Sequence, residues 1–132
     1  MDAGLYRGHT NVPHEKRISY KFFPDAGNQP TVPRGPLNLQ IASVVWVSQG
    51  LYRITLRGPA VNIVQHDPVL NVNAAGVVRF AQPGPVANIG TSTATTVDVL
   101  VVDASAAVQN PPAANANNFI SGTIILCDTA AV

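Results

Sequence analysis

The sequence predicts an all-β protein, an antiparallel barrel or jelly-roll-like sandwich of about seven or eight strands. Short runs rich in β-branched and aromatic residues alternate between apolar and polar side chains. Turn residues recur at the spacing of about 8–12 residues that is typical of sandwiches and barrels. No window of eleven or more residues repeats with the helical period of about 3.6. A chain of 132 residues has room for one such domain with a real hydrophobic core.

The first segment, residues 1–17, has neither a helical nor an alternating pattern. It holds Gly4, Gly8 and Pro13 together with much of the local charge. We predict an extended N-terminal arm, which is either a disordered terminus or a segment that orders on a partner. Residues 18–132 then form a single β domain.

The first predicted strand is "ISYKFF", at residues 18–23. Its alternation places Ile18, Tyr20 and Phe22 on the buried face. Residues 24–36 follow with four prolines, which excludes a helix or a central strand and predicts a long structured loop.

The clearest hairpin spans residues 41–58, where two β-rich runs flank "SQG". On its second strand the inward side chains are Tyr52, Ile54 and Leu56. The first strand is apolar on both faces, so we expect it in the middle of a sheet or against a partner.

A second hairpin is predicted where "PVLNVN" and "VVRFAQ" flank "AAG", and "PVANIG" is a candidate further strand. Four side chains of this hairpin are expected to face inward, namely Leu70, Val72, Val78 and Phe80.

Two strands close the chain: "TVDVLVVD" at residues 96–103 and "NNFISGTIILCD" at residues 117–128. The inward residues of the last strand are expected to be Ile120, Ile124 and Leu126. Phe119 and Ile125 on its other face are too apolar for free water. Because this strand follows a stiff Asn-rich loop and ends the chain, we expect it at a sheet edge or at a subunit contact, with its second face covered by the opposite sheet or another copy.

Composition and charge narrow the classes of partner. Only 11% of residues are charged, against about 25% in an average domain, which suits either an exterior covered by neighbours in an assembly or a polar, uncharged surface of the secreted type. The net charge of +1 does not indicate nucleic acid or an anionic membrane. No run is long enough for a membrane span, and no signal peptide is evident, so the protein is expected to be made in the cytoplasm. Residues 1–57 hold seven of the eight basic groups, a bias that favours docking between unlike surfaces.

The residue types of catalytic and metal sites do not converge in the sequence. His9, His14 and His66 are too scattered for a zinc site, and Asp98 and Asp103 are expected to face opposite sides of a strand. Cys127 has the pattern of a small core residue. Trp46 and Tyr52 are interpreted as hairpin core rather than as a ligand platform. We expect no enzymatic activity, no cofactor and no catalytic or metal-binding residue.

Three stretches taken in order carry a resemblance: "FFPDAGNQP", "VVWVSQGLYRITLRG" and "ANANNFISGTIIL". Together they resemble small all-β virion structural proteins of tailed bacteriophages, over roughly residues 20–126. The resemblance is closest to capsid decoration, or cement, proteins. It implies a non-enzymatic protein on the capsid surface of the virion, a dimer or trimer that clamps neighbouring subunits of the major capsid protein. It transfers no catalytic residue.

Two sets of residues are predicted to contact the major capsid protein or other copies of this chain. Arg7, Lys16 and Arg17 come from the basic arm, and Phe119 and Ile125 come from the last strand. The alternative function is a tail or fibre component with a receptor-binding β domain, in which Trp46 and Tyr52 would be exposed.

Overall fold

The chain forms a sandwich of two four-stranded antiparallel sheets. The computed structural model describes residues 15–33, 35, 38–72, 76–112 and 118–127, and these ranges contain no α-helix. The strands are β1 (Glu15–Asp25), β2 (Asn28–Thr31), β3 (Ile41–Ser48), β4 (Leu51–Leu56), β5 (Asn62–Asn71), β6 (Phe80–Ala87), β7 (Thr96–Val102) and β8 (Phe119–Cys127). The first sheet has the order β2-β1-β8-β5 and the second has the order β3-β4-β7-β6. The predicted all-β fold is confirmed, as a sandwich rather than a closed barrel.

One hydrophobic core fills the space between the sheets. Alternation along β1 and β4 sends every second side chain into it, and the rings of Phe22 and Tyr52 meet across the core with centroids 5.6 Å apart. Full burial of such a side chain contributes about 1.5–3 kcal/mol. Nine residues of β1, β4 and β8 predicted to face inward are buried: Ile18, Tyr20, Phe22, Tyr52, Ile54, Leu56, Ile120, Ile124 and Leu126.

β8 lies in the middle of the first sheet, between β1 and β5. Ile124, for example, pairs with Ile18 on one side and with His66 on the other. The prediction that this strand lies at a sheet edge is therefore wrong. Because both edges of β8 are hydrogen-bonded, any contact that it makes with another molecule must use a face.

The predicted hairpin between residues 68 and 82 is wrong, because its two strands lie in different sheets. β6 pairs with β7, and Ala81 opposite Val101 turns towards the core while Phe80 turns outward beside Val102. Phe80 is consequently 54% exposed. Val78 is also exposed, whereas Leu70 and Val72 are partly buried.

β3 is an edge strand, so the expectation of a central position is wrong, and the alternative of a partner against its second face stays a prediction. β2 was predicted as loop and is a short edge strand, a position that tolerates Pro30. The side chain of Gln29 joins the two: its Nε2 donates to the carbonyl of Trp46 at 3.2 Å, and the amide of Trp46 donates to its Oε1 at 3.0 Å. One amide side chain thus occupies the exposed backbone groups of β3 at Trp46.

The N-terminal boundary of the domain differs slightly from the prediction. β1 begins at Glu15, so residues 15–17 of the predicted arm are strand residues, paired with residues 125–127 of β8. The remainder of the predicted arm, residues 1–14, lies outside the described residues.

Gly50 in the β3–β4 turn is held by two other parts of the chain, β7 and the loop at residues 108–110. Its φ is +67°, its carbonyl accepts from the amide of Val101 at 2.7 Å, and its amide donates to Oδ1 of Asn110 at 2.8 Å. A Cβ at this position would lie 2.7 Å from the carbonyl oxygen of Gln109 and 2.8 Å from that of Val101. The turn therefore requires glycine for both its φ and its close packing.

We expect Gly50→Ala to destabilise the domain more than Gly90→Ala. Gly90 has a similar φ of +69° but nothing within 4 Å of its missing Cβ. Gly90→Ala should therefore cost only the left-handed penalty of about 1–2 kcal/mol, and Gly50→Ala should add roughly 1–3 kcal/mol of overpacking. Urea unfolding of both variants measures the difference, and equal losses would contradict the steric part of this account.

Candidate interaction face

The first sheet has one side that points away from the core, which we call the outer face. Every second residue of its strands lies there, because side chains alternate along a strand. Three strands contribute to it: Arg17, Ser19, Lys21 and Phe23 from β1; Phe119, Ser121, Thr123 and Ile125 from β8; Gln65, Asp67 and Val69 from β5.

One end of the outer face is formed by a lysine and two aromatic rings. Nζ of Lys21 lies 4.2 Å from the ring centroid of Phe119 and 5.5 Å from that of Phe23. Such cation–π contacts are worth about 0.5–1 kcal/mol at an exposed site. Val69, in the same cross-strand row as Lys21, is 60% exposed. This end offers a cation and apolar surface side by side.

At the other end, Ile125 lies between Arg17 and Gln65 in one cross-strand row. Ile125 is half-buried while both of its neighbours are exposed. The row between the two ends consists of Ser19, Thr123 and Asp67. The outer face therefore has two apolar and basic ends, which are separated by two hydroxyl side chains and the carboxylate of Asp67.

Three of the five predicted contact residues share this face, namely Arg17, Phe119 and Ile125. The expectation that the opposite sheet could cover Phe119 and Ile125 is wrong, because the core lies on the other side of β8. Lys16 points to the opposite side of the sheet from Arg17 and lines a cavity of about 100 Å³ with Arg57 and Leu126. Arg7 lies outside the described residues.

The sequence reasoning missed three residues of this face. Lys21 and Phe23 could have been found, because the alternation that buries Tyr20 and Phe22 places both of them on the opposite face of β1. Val69 could not have been found, because β5 was expected to pair with β6, whereas it pairs with β8.

A bidentate ion pair lies on the outward side of the second sheet. Nε of Arg53 donates to Oδ1 of Asp98 at 3.0 Å, and Nη2 of Arg53 donates to Oδ2 of Asp98 at 3.1 Å. Arg53 and Asp98 are cross-strand partners in β4 and β7. The carboxylate of Asp98 is buried and the guanidinium satisfies it, so this aspartate has a structural role.

On the core side of the first sheet, Tyr20 and His66 form a buried polar pair. The hydroxyl of Tyr20 lies 2.7 Å from Nε2 of His66, and Gly122 of β8 separates the two strands. A Cβ on Gly122 would lie 2.5 Å from that hydroxyl, so glycine is what allows the tyrosine to cross β8. Among the described residues, Nδ1 of His66 is buried and has no hydrogen-bond partner.

Burial sets the protonation state of this pair. Removal from water lowers the pKa of His66 from 6.5 to about 4, although the charge of Asp67 acts in the opposite direction. Burial, with a smaller effect of Asp67, raises the pKa of Tyr20 above its ordinary value. His66 is therefore neutral at pH 7 and becomes costly to keep buried when it is protonated.

The candidate chemical residues of the sequence do not come together in the described part of the chain. No group of three or more His, Cys, Asp or Glu side chains is placed there to hold a metal ion, and His9 and His14 lie outside it. Cys127 is buried, as predicted. The same described ranges contain no helix that is long and apolar enough to cross a membrane.

We expect His66→Gln to remove part of the acid sensitivity of the domain while keeping a hydrogen-bonding partner for Tyr20. The pKa of His66 is lower in the folded than in the unfolded chain. Its contribution to the free energy of unfolding is therefore complete above pH 6.5 and is lost as the pH falls towards 4. The parent protein should lose on the order of 3 kcal/mol of its free energy of unfolding through this group as the pH falls towards 4.

Urea unfolding at pH values from 4 to 7 tests this by comparing the two proteins. Asp103, whose pKa is lowered by hydrogen bonds from the backbone amides of Ala107 and Ser105, is present in both and cancels in the difference. Stability curves that run parallel over this range would show that His66 is not the titrating group.

Comparison with protein-family models, with curated proteins and with solved structures found no match to this chain.

Proposed function

We propose that this chain is a non-enzymatic structural protein of a tailed bacteriophage virion. In this role it is a capsid decoration protein that binds the outside of the head and clamps neighbouring major capsid subunits, with further contacts to other copies of itself. The observation that carries the proposal is the outer face of the first sheet. It joins half-buried Ile125 and Phe119 to the cations of Arg17 and Lys21, a mixture that suits a protein partner.

The positions of the three resembling stretches support a structural role for them. The first forms the β1–β2 turn, the second forms the β3–β4 hairpin, and the described part of the third forms β8. The first two stretches meet: the hydroxyl of Tyr52 donates to the carbonyl of Asp25 at 3.1 Å, and Gln29 bonds to Trp46. Their shared residues therefore build the sandwich, and the first and third stretches also supply Phe23, Phe119 and Ile125 of the outer face.

The alternative, a receptor-binding tail or fibre domain, relied on exposed Trp46 and Tyr52. Tyr52 is fully buried. Trp46 is partly buried, and its ring nitrogen donates to Oδ1 of Asn110 at 3.3 Å. The burial of these two rings argues against an exposed aromatic platform at this hairpin. It therefore supports the capsid role over the tail role.

The copy number in virions tests the location. Particles purified from cells that produce the chain should contain it in numbers comparable to the major capsid protein, measured from quantified gel bands. A few to tens of copies in each particle would indicate the tail, and absence from particles would overturn the proposal.

We expect Ile125→Asp to abolish self-association and capsid binding while the domain stays folded, because a charge in a dry contact is costly. Leu100→Asp is the matched control. Leu100 is also a half-buried aliphatic residue on a central strand, but it lies in the second sheet, opposite Leu51. Sedimentation velocity measures self-association, and co-sedimentation with heads that lack the protein measures binding.

The outcomes of this pair separate the explanations. Loss of self-association and capsid binding in Ile125→Asp, but not in Leu100→Asp, supports the outer face as the interface. Binding by Ile125→Asp at the parental level overturns the interface, and unfolding of that variant would show that Ile125 is part of the core. Equal loss in both variants would point to general destabilisation instead.

A further inference from the structure

The charges of the outer face change sign from one cross-strand row to the next. Arg17 and Lys21 lie on β1, two rows apart, and the row between them ends at Asp67 on β5. Within the described chain the carboxylate of Asp67 accepts a hydrogen bond from Gln65 rather than from either cation, since β5 and β1 are two strand spacings apart, roughly 10 Å. The three charges are therefore available to another molecule.

A second copy of the chain can pack its outer face on this one about a two-fold axis that lies between the two faces. Two-fold symmetry is the commonest in homo-oligomers. In the aligned packing of two sheets the strand directions stay within about 30° of each other. The axis then runs either nearly along β8 or nearly across it, and these two orientations bring different residues together.

An axis across the strands is opposed by charge. When such an axis passes through the centre of the face at Thr123, each row meets the row on the other side of the centre. Arg17 would face Lys21 of the second copy, and Asp67 would face Asp67 of the second copy. Like charges that face each other weaken an interface strongly, so this orientation is disfavoured.

An axis along β8 brings unlike charges together. β1 of each copy then lies over β5 of the other, and Asp67 lies over Ser19, a small side chain that leaves room for the carboxylate. Arg17 and Lys21 are two residues away on either side of Ser19, roughly 7 Å along the strand. Both long side chains can reach a carboxylate at that distance.

The side chains on this axis meet their own copies without repulsion, because none of them is charged: Phe119, Ser121, Thr123 and Ile125. Phe119 and Ile125 are only half-buried within one molecule, and in this orientation the second copy would cover them. Off the axis, Arg17 faces Gln65 and Lys21 faces Val69. No two like charges of these rows face each other.

We propose that the outer face pairs with the outer face of a second copy about a two-fold axis that runs along β8. In this dimer Asp67 of each copy lies between Arg17 and Lys21 of the other. The inference rests on the proposed function in taking the outer face as an interface, and it names the partner of that face. The dimer would reach the capsid as one unit, so loss of pairing would also weaken attachment to heads.

Two complementary charge reversals test this geometry in the purified protein. Asp67→Lys, and separately Arg17→Glu with Lys21→Glu, should each weaken self-association by about tenfold or more, because like charges then face each other. An equimolar mixture of the two variants should recover the dimer, since every reversed charge meets one of opposite sign. Sedimentation velocity of each variant and of the mixture measures this, and a mixture that stays monomeric would overturn the proposal.

The matched control is Lys16→Glu with Arg57→Glu. It changes the net charge by the same amount as Arg17→Glu with Lys21→Glu, but both of its residues line the cavity on the opposite side of the sheet. This control should self-associate like the parent. An equal loss of pairing in the control would attribute the effect to net charge and would contradict the contact.

Asp67→Asn decides between the two axes even if a reversal variant fails to fold, because asparagine keeps the shape of the side chain. It should weaken the dimer through loss of the attraction to Arg17 and Lys21. A tighter dimer would mean that Asp67 faces its own copy and that the axis runs across the strands. An unchanged or tighter dimer therefore overturns the proposal.

The outcomes separate this inference from the proposed function. A parent chain that is monomeric or trimeric in solution overturns the two-fold dimer, and its binding to heads would leave the capsid role intact. If the mixed variants recover a dimer but the chain is absent from purified particles, the pairing is confirmed and the capsid role is overturned.

Discussion

The insertion of β8 between β1 and β5 is the constraint on which the first sheet depends. β1 and β5 make no ladder with each other in the described part of the chain, so each is held through β8. The crossing of Tyr20 over Gly122 to reach His66 ties all three strands together on the core side. The same insertion fixes the outer face, because it brings Arg17 and Gln65 to the two sides of Ile125. The register of β8 thus determines both the core packing and the composition of the candidate interface.

The sequence predicted which residues face inward more reliably than which strands are neighbours. Alternation is a local property, and it correctly buried the apolar residues of β1, β4 and β8. It cannot report which sheet a strand joins, so the strands on either side of residues 73–76 were wrongly paired with each other. Pairing with β7 then reversed the faces of β6 and exposed Phe80. The apolar run of β3 was misleading about its place in the sheet, since β3 is an edge strand on which Val45 and Val47 are 39% and 40% exposed.

The candidate site was predictable to the extent that it depends on one strand. Phe119 and Ile125 were identified because their face is too apolar for water, and Arg17 because it is basic. Lys16 was included with Arg17, but adjacent residues of a strand point to opposite sides, and once β1 begins at Glu15 the two must separate. His66 had no distinctive signal in the sequence. Its importance comes from Tyr20, which is 46 residues away along the chain, and only the tertiary arrangement brings them together.

The amide of Gln29 has a consequence for how copies of this protein can meet. A free edge strand presents unpaired backbone groups that can template a strand from another molecule, which is the route to uncontrolled polymers and cross-β fibres. At Trp46 one side chain already satisfies both the N–H and the C=O of that edge, so an incoming strand would first have to displace it. Edge-to-edge growth is disfavoured at this point of β3. At this point of β3, contact with another molecule is therefore left to the faces of the sheet.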